Sequence, residues 1–254
     1  APISAVARMT ETPVYLIDAG LESDTDEIEG VLVKKVIRGT HYGHQAMTVE
    51  QAKEAVSLGM SVGKSLALQR VEAVALGNIG ERSMLSALGV TAAVMKEELQ
   101  EQARQNGLSV KMNDIEDLKD DPIGVLAATG SAEIAGLFGL VVQAAREGIA
   151  VVFDNAVTGA AVLMAVQVYP EIKEYVFPSV YYEEPLHQIQ MKKLGMKSFL
   201  HYDFTLAEGL GSAMGLSLLD ASLDMLNVMK TFGEGGVDVA EDGPGKNRQR
   251  EDVR

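Results

Sequence analysis

The chain has 254 residues, of which 47% are hydrophobic and 23% charged, and its formal net charge is −14 at pH 7. The apolar fraction excludes a chain that is disordered as a whole, and the length fits one large domain or one domain with a small appendage. The acidic balance disfavours nucleic-acid backbones and anionic membrane surfaces as partners, and no stretch reaches the roughly 18–20 apolar residues of a membrane helix.

Short apolar runs, each closed by a turn residue, recur along the chain. They lack the alternation of a half-exposed strand, so they predict strands that are buried on both faces, as in a parallel sheet. The predicted strands cover residues 14–17, 73–76, 149–153, 175–177 and 198–200.

Helical patterns lie between these runs. Thr48 and Gln51 form a capping-box pattern before a stripe of mostly small residues at positions 52, 55, 56, 59, 63 and 66. Further helices are predicted at 83–104, 132–146, 158–168, 184–194 and 211–229, the last with Leu216, Leu219, Leu223 and Leu226 on one face.

The repeated order of strand, turn and helix predicts an α/β fold with three layers: a doubly wound, mostly parallel sheet with helices on both faces. We expect a single domain over residues 1–239 and a flexible polar tail over 240–254. The helices 132–146 and 211–229 carry more apolar surface than one sheet face covers, which predicts a homodimer. No signal peptide is recognisable at the start of the sequence, so the cytoplasm is the expected compartment.

Metal and thiol chemistry have little support. The sequence contains no cysteine, which excludes disulfides, thiol nucleophiles and iron–sulfur ligation. His41 and His44 lack the partner of a helical zinc motif, and the acidic stretches 22–29 and 114–121 lack the oxygen spacing of a calcium loop. We expect no metal and no cofactor, and solvated loops at both acidic stretches.

Ligands of open parallel sheets bind beyond the carboxyl ends of the strands, and two glycine-rich turns fall there. The first is Gly77-Asn78-Ile79-Gly80-Glu81-Arg82-Ser83, and the second is Glu208-Gly209-Leu210-Gly211-Ser212-Ala213. Backbone N–H groups at such turns can bind an anion, with Arg82 adding a charge-assisted contact. An ordinary strand-to-helix turn and an ordinary helix start explain the same residues without a ligand.

A third segment, Phe232-Gly233-Glu234-Gly235-Gly236-Val237, follows the last predicted helix. A carboxylate between glycines and apolar residues can be desolvated, which would raise its pKa toward the range of a general base. A solvated helix end is the alternative interpretation.

In order, these segments resemble the nicotinate-nucleotide–dimethylbenzimidazole phosphoribosyltransferase family, from about Ala5 to Val237. The likeness also includes Arg38-Gly39-Thr40, the stretch 46–52, the stretch 121–127, Glu133-Ile134-Ala135-Gly136, Val151-Val152-Phe153-Asp154, Ala160-Ala161, Glu184-Pro185 with His187, and Met229-Lys230-Thr231 before Phe232.

The resemblance implies a parallel α/β core, a homodimer, no metal, and phosphoribosyl transfer from nicotinate mononucleotide to a benzimidazole-type base. The product would be α-ribazole phosphate for the lower ligand of cobamides. Glu234 falls on the family's catalytic base. The implied partners are a small nucleotide and an aromatic base, and the implied substrate-binding residues are Gly77, Asn78, Gly80, Arg82, Ser83, Asp154, Glu208, Gly209 and Gly211.

The sequence also departs from the family pattern. In the first turn, Asn78 stands for a Glu, Arg82 for a Gly, Ser83 for an Asn, and Met84 and Leu85 for threonines. Further departures are Ser131, Asn155 and Ala207 for glycines and Thr205 for an arginine. In the family, an N-terminal region that helps to hold the benzimidazole precedes the segment matched here, so the resemblance implies that the usual base pocket is partly missing. Three interpretations stay open: a divergent phosphoribosyltransferase, a non-catalytic nucleotide- or base-binding paralogue or subunit, and an unrelated enzyme on a similar fold.

Overall fold

The computed structural model describes residues 2–39, 45–80, 82–105, 121–201 and 208–236. The chain packs as two units, Ala1–Ser217 and Leu218–Arg254, and each is described by itself. The boundary falls inside a helix, so the expected single domain over 1–239 remains a prediction. Residues 240–254 lie outside the described part of the chain.

The helices of the described residues are, in chain order, α1 (Pro2–Met9), α2 (Val49–Leu68), α3 (Ser83–Val94), α4 (Lys96–Gln105), α5 (Pro122–Thr129), α6 (Ala132–Arg146), α7 (Ala156–Val168), α8 (Pro185–Leu194) and α9 (Leu210–Val228), with a 3₁₀ helix at Pro170–Tyr175. Several of them begin at a side chain that caps them, namely α2, α5, α6, α7 and α8. No helix in these ranges is both long enough and apolar enough to span a membrane.

The strands are short and pair in parallel. They are β1 (Leu16–Asp18), β2 (Val31–Val33), β3 (Ala73–Ala75), β4 (Ala150–Phe153), β5 (Val176–Pro178), β6 (Val180–Tyr181) and β7 (Leu200–His201). They form three separate ladders, β1-β2, β3-β4-β5 and β6-β7. In the central ladder Val74 lies opposite Val151, and Val152 lies opposite Phe177.

Helices cover both faces of β4. Val151 and Phe153 are fully buried in the core that α6 and α7 help to form. The alternate residue Val152 faces the beginning of α9, where a Cβ added at Gly215 would lie 2.8 Å from Val152 Cγ1. The predicted α/β class, with parallel strands between helical layers, is therefore confirmed.

Most predicted helices are found close to their predicted bounds. The capping box of Thr48 and Gln51 begins α2, and α6 covers 132–146 as predicted. The predicted helix at 83–104 is instead two helices, α3 and α4, which are separated at Met95. The elements α1, α5, β2 and β6 were not predicted.

The stripe of small residues on α2 brings that helix against α6. A Cβ added at Gly59 would lie 1.8 Å from the carbonyl oxygen of Gly136, and one added at Gly139 would lie 2.1 Å from that of Val56. The backbones are in contact, so α2 covers α6 within the chain. The apolar surface of α6 is therefore covered within the chain and does not support the predicted homodimer.

Candidate active site

The two glycine-rich turns touch each other. A Cβ added at Gly77 would lie 2.9 Å from the carbonyl oxygen of Glu208. Gly209 has a left-handed φ of 81°, and a Cβ there would lie 2.9 Å from the Cα of Gly77. Glycine is required at both positions because the backbones leave no room for a side chain. The structure thus brings together two turns that are far apart in sequence.

Asp154 follows β4 and holds the beginning of α9. Its side chain is fully buried; Oδ2 accepts a hydrogen bond from the Gly211 amide at 3.0 Å, and Oδ1 accepts one from Asn155 Nδ2 at 2.9 Å. Burial raises the pKa of Asp154 to about 7, against the opposing effect of the hydrogen bonds from Ser212, Gly211 and Asn155. With both oxygens engaged inside the protein, Asp154 positions the second turn.

Asn155 joins this carboxylate to the first turn. Its Oδ1 caps α7 by accepting from the amides of Val157 and Thr158, at 2.8 and 3.1 Å. Its Nδ2 donates to Asp154 and also to Asn78 Oδ1, at 3.0 Å. Asn78 and Asn155, two departures from the family pattern, are therefore hydrogen-bonded to each other.

Glu133 lies in the first turn of α6 and faces the beginning of α3. The Ser83 hydroxyl donates to Glu133 Oε2 at 2.7 Å. Burial raises the pKa of Glu133, while the Ser83 hydroxyl and the Asn78 side chain act in the opposite direction. Neither Glu133 nor Asn155 was assigned a role from the sequence. The available signal was an acidic residue in the first turn of an otherwise apolar helix.

The other predicted substrate-binding residues of these turns are mostly exposed. Gly77 and Gly80 are exposed, as is Arg82 immediately before α3. Glu208 has a left-handed φ of 20°, which is uncommon for a residue with a side chain, and its Oε2 is buried without a hydrogen-bond partner within the described residues. The apolar replacements Met84 and Leu85 are 42% and 57% exposed.

Glu234 belongs to the second unit and is exposed. The Thr231 amide and hydroxyl donate to its Oε2 at 2.9 and 3.0 Å, and these hydrogen bonds lower its pKa. The expectation of a desolvated carboxylate with a raised pKa is therefore wrong for this conformation. The role of Glu234 as catalytic base stays a prediction.

The candidate metal ligands of the sequence gain no support from the structure. His41, His44 and residues 114–120 lie outside the described residues. In the acidic stretch 22–29, Asp24 pairs with Arg38 at 2.6 Å. Within the ranges that the structure describes, no group of three or more side chains could hold a metal ion.

The fold and the turns define an α/β protein with two glycine-rich turns in contact at the carboxyl ends of parallel strands. A profile of the phosphoribosyltransferase family matches residues 1–237. The chain therefore belongs to this family of transferases, and the resemblance seen in the sequence is confirmed.

Relatives of known name support the same assignment. The chain is 31% identical to the nicotinate-nucleotide–dimethylbenzimidazole phosphoribosyltransferase of Geobacter sp. strain M21, over 93% of this chain and 72% of that protein. It is 30% identical to the enzyme of the same name from Desulforamulus reducens, with the same coverage.

Solved structures show the shared fold. A crystal structure of the phosphoribosyltransferase of this name from Thermus thermophilus matches with a TM-score of 0.79 at 27% identity, over 94% of this chain and 75% of that one. A crystal structure of CobT from the same organism matches with a TM-score of 0.80 at 26% identity, over 94% of this chain and 76% of that one.

Proposed function

We propose that this chain transfers the phosphoribosyl group of nicotinate mononucleotide to a benzimidazole-type base, giving α-ribazole phosphate for the lower ligand of cobamides. The names of the relatives supply the substrates of the proposal. The observation that carries it is the backbone contact between Gly77 and Gly209, which places both glycine-rich turns at one location. Together the turns offer backbone N–H groups to the nucleotide phosphate.

In the proposed reaction, a ring nitrogen of the base attacks C1′ of the ribosyl unit, and the bond from C1′ to the nicotinate nitrogen breaks. Nicotinate leaves with the electron pair of that bond. The attacking ring would stay cationic unless its other N–H loses a proton, so a carboxylate base assists the step. We propose Glu234 for this role, on the basis of its position in the family's terminal motif.

Binding without catalysis is the second candidate. It is favoured by Glu234, whose carboxylate is exposed and hydrogen-bonded to Thr231, with a pKa below its ordinary value. A carboxylate in that environment is a weaker base than the proposed reaction needs. The turns could then bind a nucleotide or a base that the chain does not transform.

The deciding experiment combines the purified protein with nicotinate mononucleotide and dimethylbenzimidazole, and follows nicotinate and α-ribazole phosphate by chromatography. We expect both products to form in equal amounts, and Glu234→Gln to lower kcat by at least about 100-fold. Glu50→Gln, on the exposed beginning of α2, is the matched control. Nucleotide binding without product would favour the second candidate, and full activity of Glu234→Gln would remove Glu234 as the base.

We further propose that the chain forms a homodimer through the second unit. The last part of α9 and the residue that follows it expose large apolar side chains, including Met225, Leu226 and Met229 at 55%, 78% and 68%. Light scattering tests this, and a monomer mass at every concentration would contradict it. A cytoplasmic location also stays a prediction, which fractionation of cells would test.

A further inference from the structure

Glu133 has one carboxylate oxygen engaged and one free. Oε2 accepts the hydrogen bond of Ser83 at 2.7 Å. Oε1 is buried and makes no hydrogen bond within the described part of the chain. A buried acceptor without a donor is destabilising, and such groups are uncommon in folded proteins. This oxygen is therefore a candidate ligand contact.

The free oxygen belongs to a side chain beside the first glycine-rich turn. A Cβ added at Gly80 would lie 2.7 Å from Ser83 Oγ and 3.4 Å from Glu133 Oε2, so the turn passes directly by the carboxylate. Gly80 itself is exposed, whereas Ser83 is buried. A ligand with its phosphate on this turn would bring the adjoining sugar close to Glu133.

The neighbours of Glu133 are polar and hold their orientation. Asn78 receives the Asn155 amide on its Oδ1 at 3.0 Å, and its own side chain acts on Glu133 by lowering the pKa of that carboxyl. Ser83 donates its only hydroxyl proton to Glu133. Because one carboxylate oxygen already accepts a hydrogen bond, the other can bind a ligand that donates one or two hydroxyl groups.

We propose that Glu133 binds a ribose hydroxyl of the nucleotide, with Ser83 holding the carboxylate in place. The proposal rests on the proposed function for the identity of the nucleotide, but its chemistry requires only a ribose phosphate on the first turn. Glu133 thereby gives the site a preference for ribose over deoxyribose.

The test measures binding of ribose 5-phosphate and of its 2-deoxy and 3-deoxy analogues by calorimetry. We expect the unaltered protein to bind ribose 5-phosphate about tenfold more tightly than at least one deoxy analogue, the factor expected for one charge-assisted hydrogen bond. In Glu133→Ala the preference should fall to within about twofold, and Glu133→Gln should restore part of it. Glu50→Gln, at the same position of α2, should keep the full preference.

The preference is a ratio measured within one protein, so partial unfolding of a variant does not alter it. If Glu133→Ala does not fold, Ser83→Ala, which releases the carboxylate, should reduce the same ratio. An unaltered protein that does not distinguish ribose from deoxyribose, or a preference that survives in Glu133→Ala, would overturn the proposal.

The same samples separate this proposal from the proposed function. Assayed for nicotinate release, an inactive protein with a preference that depends on Glu133 would contradict phosphoribosyl transfer and retain the hydroxyl contact. An active protein whose ribose preference is independent of Glu133 would retain the function and contradict the hydroxyl contact.

Discussion

The Asn155 side chain uses all of its hydrogen-bonding capacity within the protein. It accepts two backbone amides of α7 and donates to Asp154 and Asn78. One residue thus connects the end of β4, the beginning of α7 and the first glycine-rich turn. This explains how a side chain can replace the glycine of the family pattern and still fit, since it fills its space with satisfied polar contacts.

Replacing Asn155 by Ala should lower the free energy of unfolding by about 2–3 kcal/mol, because a helix cap and two further hydrogen bonds are lost at a buried position. Thr48→Ala, which removes the exposed cap of α2, should lower it by only about 1 kcal/mol. Urea denaturation measures both. Equal losses would show that the contacts with Asp154 and Asn78 contribute nothing to stability.

The raised pKa of Asp154 predicts a specific dependence of stability on pH. The folded state keeps its proton up to about pH 7, whereas the unfolded state releases it near 3.8. Between these values the folded state binds more protons, so its stability decreases as the pH rises. Asp154→Asn removes this titration.

From pH 4 to pH 7, the free energy of unfolding of the unaltered protein should therefore decrease by on the order of 1–4 kcal/mol relative to that of Asp154→Asn. Melting temperatures measured across this range for both proteins provide the comparison. Parallel curves would contradict the raised pKa. The difference between the two proteins, and not either curve alone, isolates Asp154 from the other carboxylates.

For individual residues, the sequence predicted which of them lie in the turns but not the contacts that the turns make with each other. Asp154, Asn78 and Ser83 were recognisable because they follow strands or precede helices. Glu133 was not, because it is distant in sequence from Ser83 and meets it only where α6 and α3 begin side by side. Asp154 was grouped with the substrate-binding residues, although burial and two internal hydrogen bonds give it a positioning role.

Among the elements, the crossing of α2 and α6 depends most strictly on its sequence. Gly59 and Gly136 both lie in it, but a Cβ would meet backbone at 1.8 Å from Gly59, whereas from Gly136 the nearest contact is an ordinary 3.6 Å, to the Ala55 carbonyl oxygen. The two glycines therefore provide a matched pair in one interface.

Gly59→Ala should destabilise the protein by at least about 3 kcal/mol or prevent folding, because the two helices must separate to accept the methyl group. Gly136→Ala should be neutral, or stabilising by up to about 1 kcal/mol, because alanine favours the helix. Chemical denaturation compares them. Similar effects of both substitutions would contradict the close approach of the backbones.

Elements with strong local signals were predicted well, whereas the short elements α1, α5, β2 and β6 were not predicted. The apolar run of α6 and the capping box of α2 determine their helices locally. In α5, Asp121 caps the helix and Pro122 occupies its first position, yet the eight residues are too few to show a period. The two-residue strand β6 depends on its pairing with β7, which local sequence does not reveal.

For the whole molecule, the remaining question is what covers the apolar side of the second unit. On the described part of α9 in this unit, Leu218 and Leu226 lie on one side of the helix, Asp220 and Asp224 lie on the other, and the exposed Met229 follows the end of the helix. The face predicted from the sequence, Leu216, Leu219, Leu223 and Leu226, shares only Leu226 with this side of the helix. A partner for this side could not be read from one chain, because a surface that copies of a chain would share has no counterpart in the sequence.

Leu226→Lys should weaken the proposed dimer and increase the monomer fraction in sedimentation experiments at micromolar concentrations, because a charge would enter an apolar interface. Asn227→Lys adds the same charge at an adjacent exposed position on the polar side, and should leave the mass unchanged. A dimer that tolerates both substitutions would place the interface elsewhere.

The contact between α2 and α6 also restricts how the first unit can move. Helices that pack through long side chains can slide past each other, since the side chains adjust their rotamers. Here the carbonyl groups of one helix lie in the glycine notches of the other, so a sliding motion would drive backbone into backbone. Glu133 lies at the beginning of α6, so its backbone is held in place together with that helix. We therefore expect any rearrangement that admits a ligand to occur in the turns and side chains, with the two helices as a fixed base.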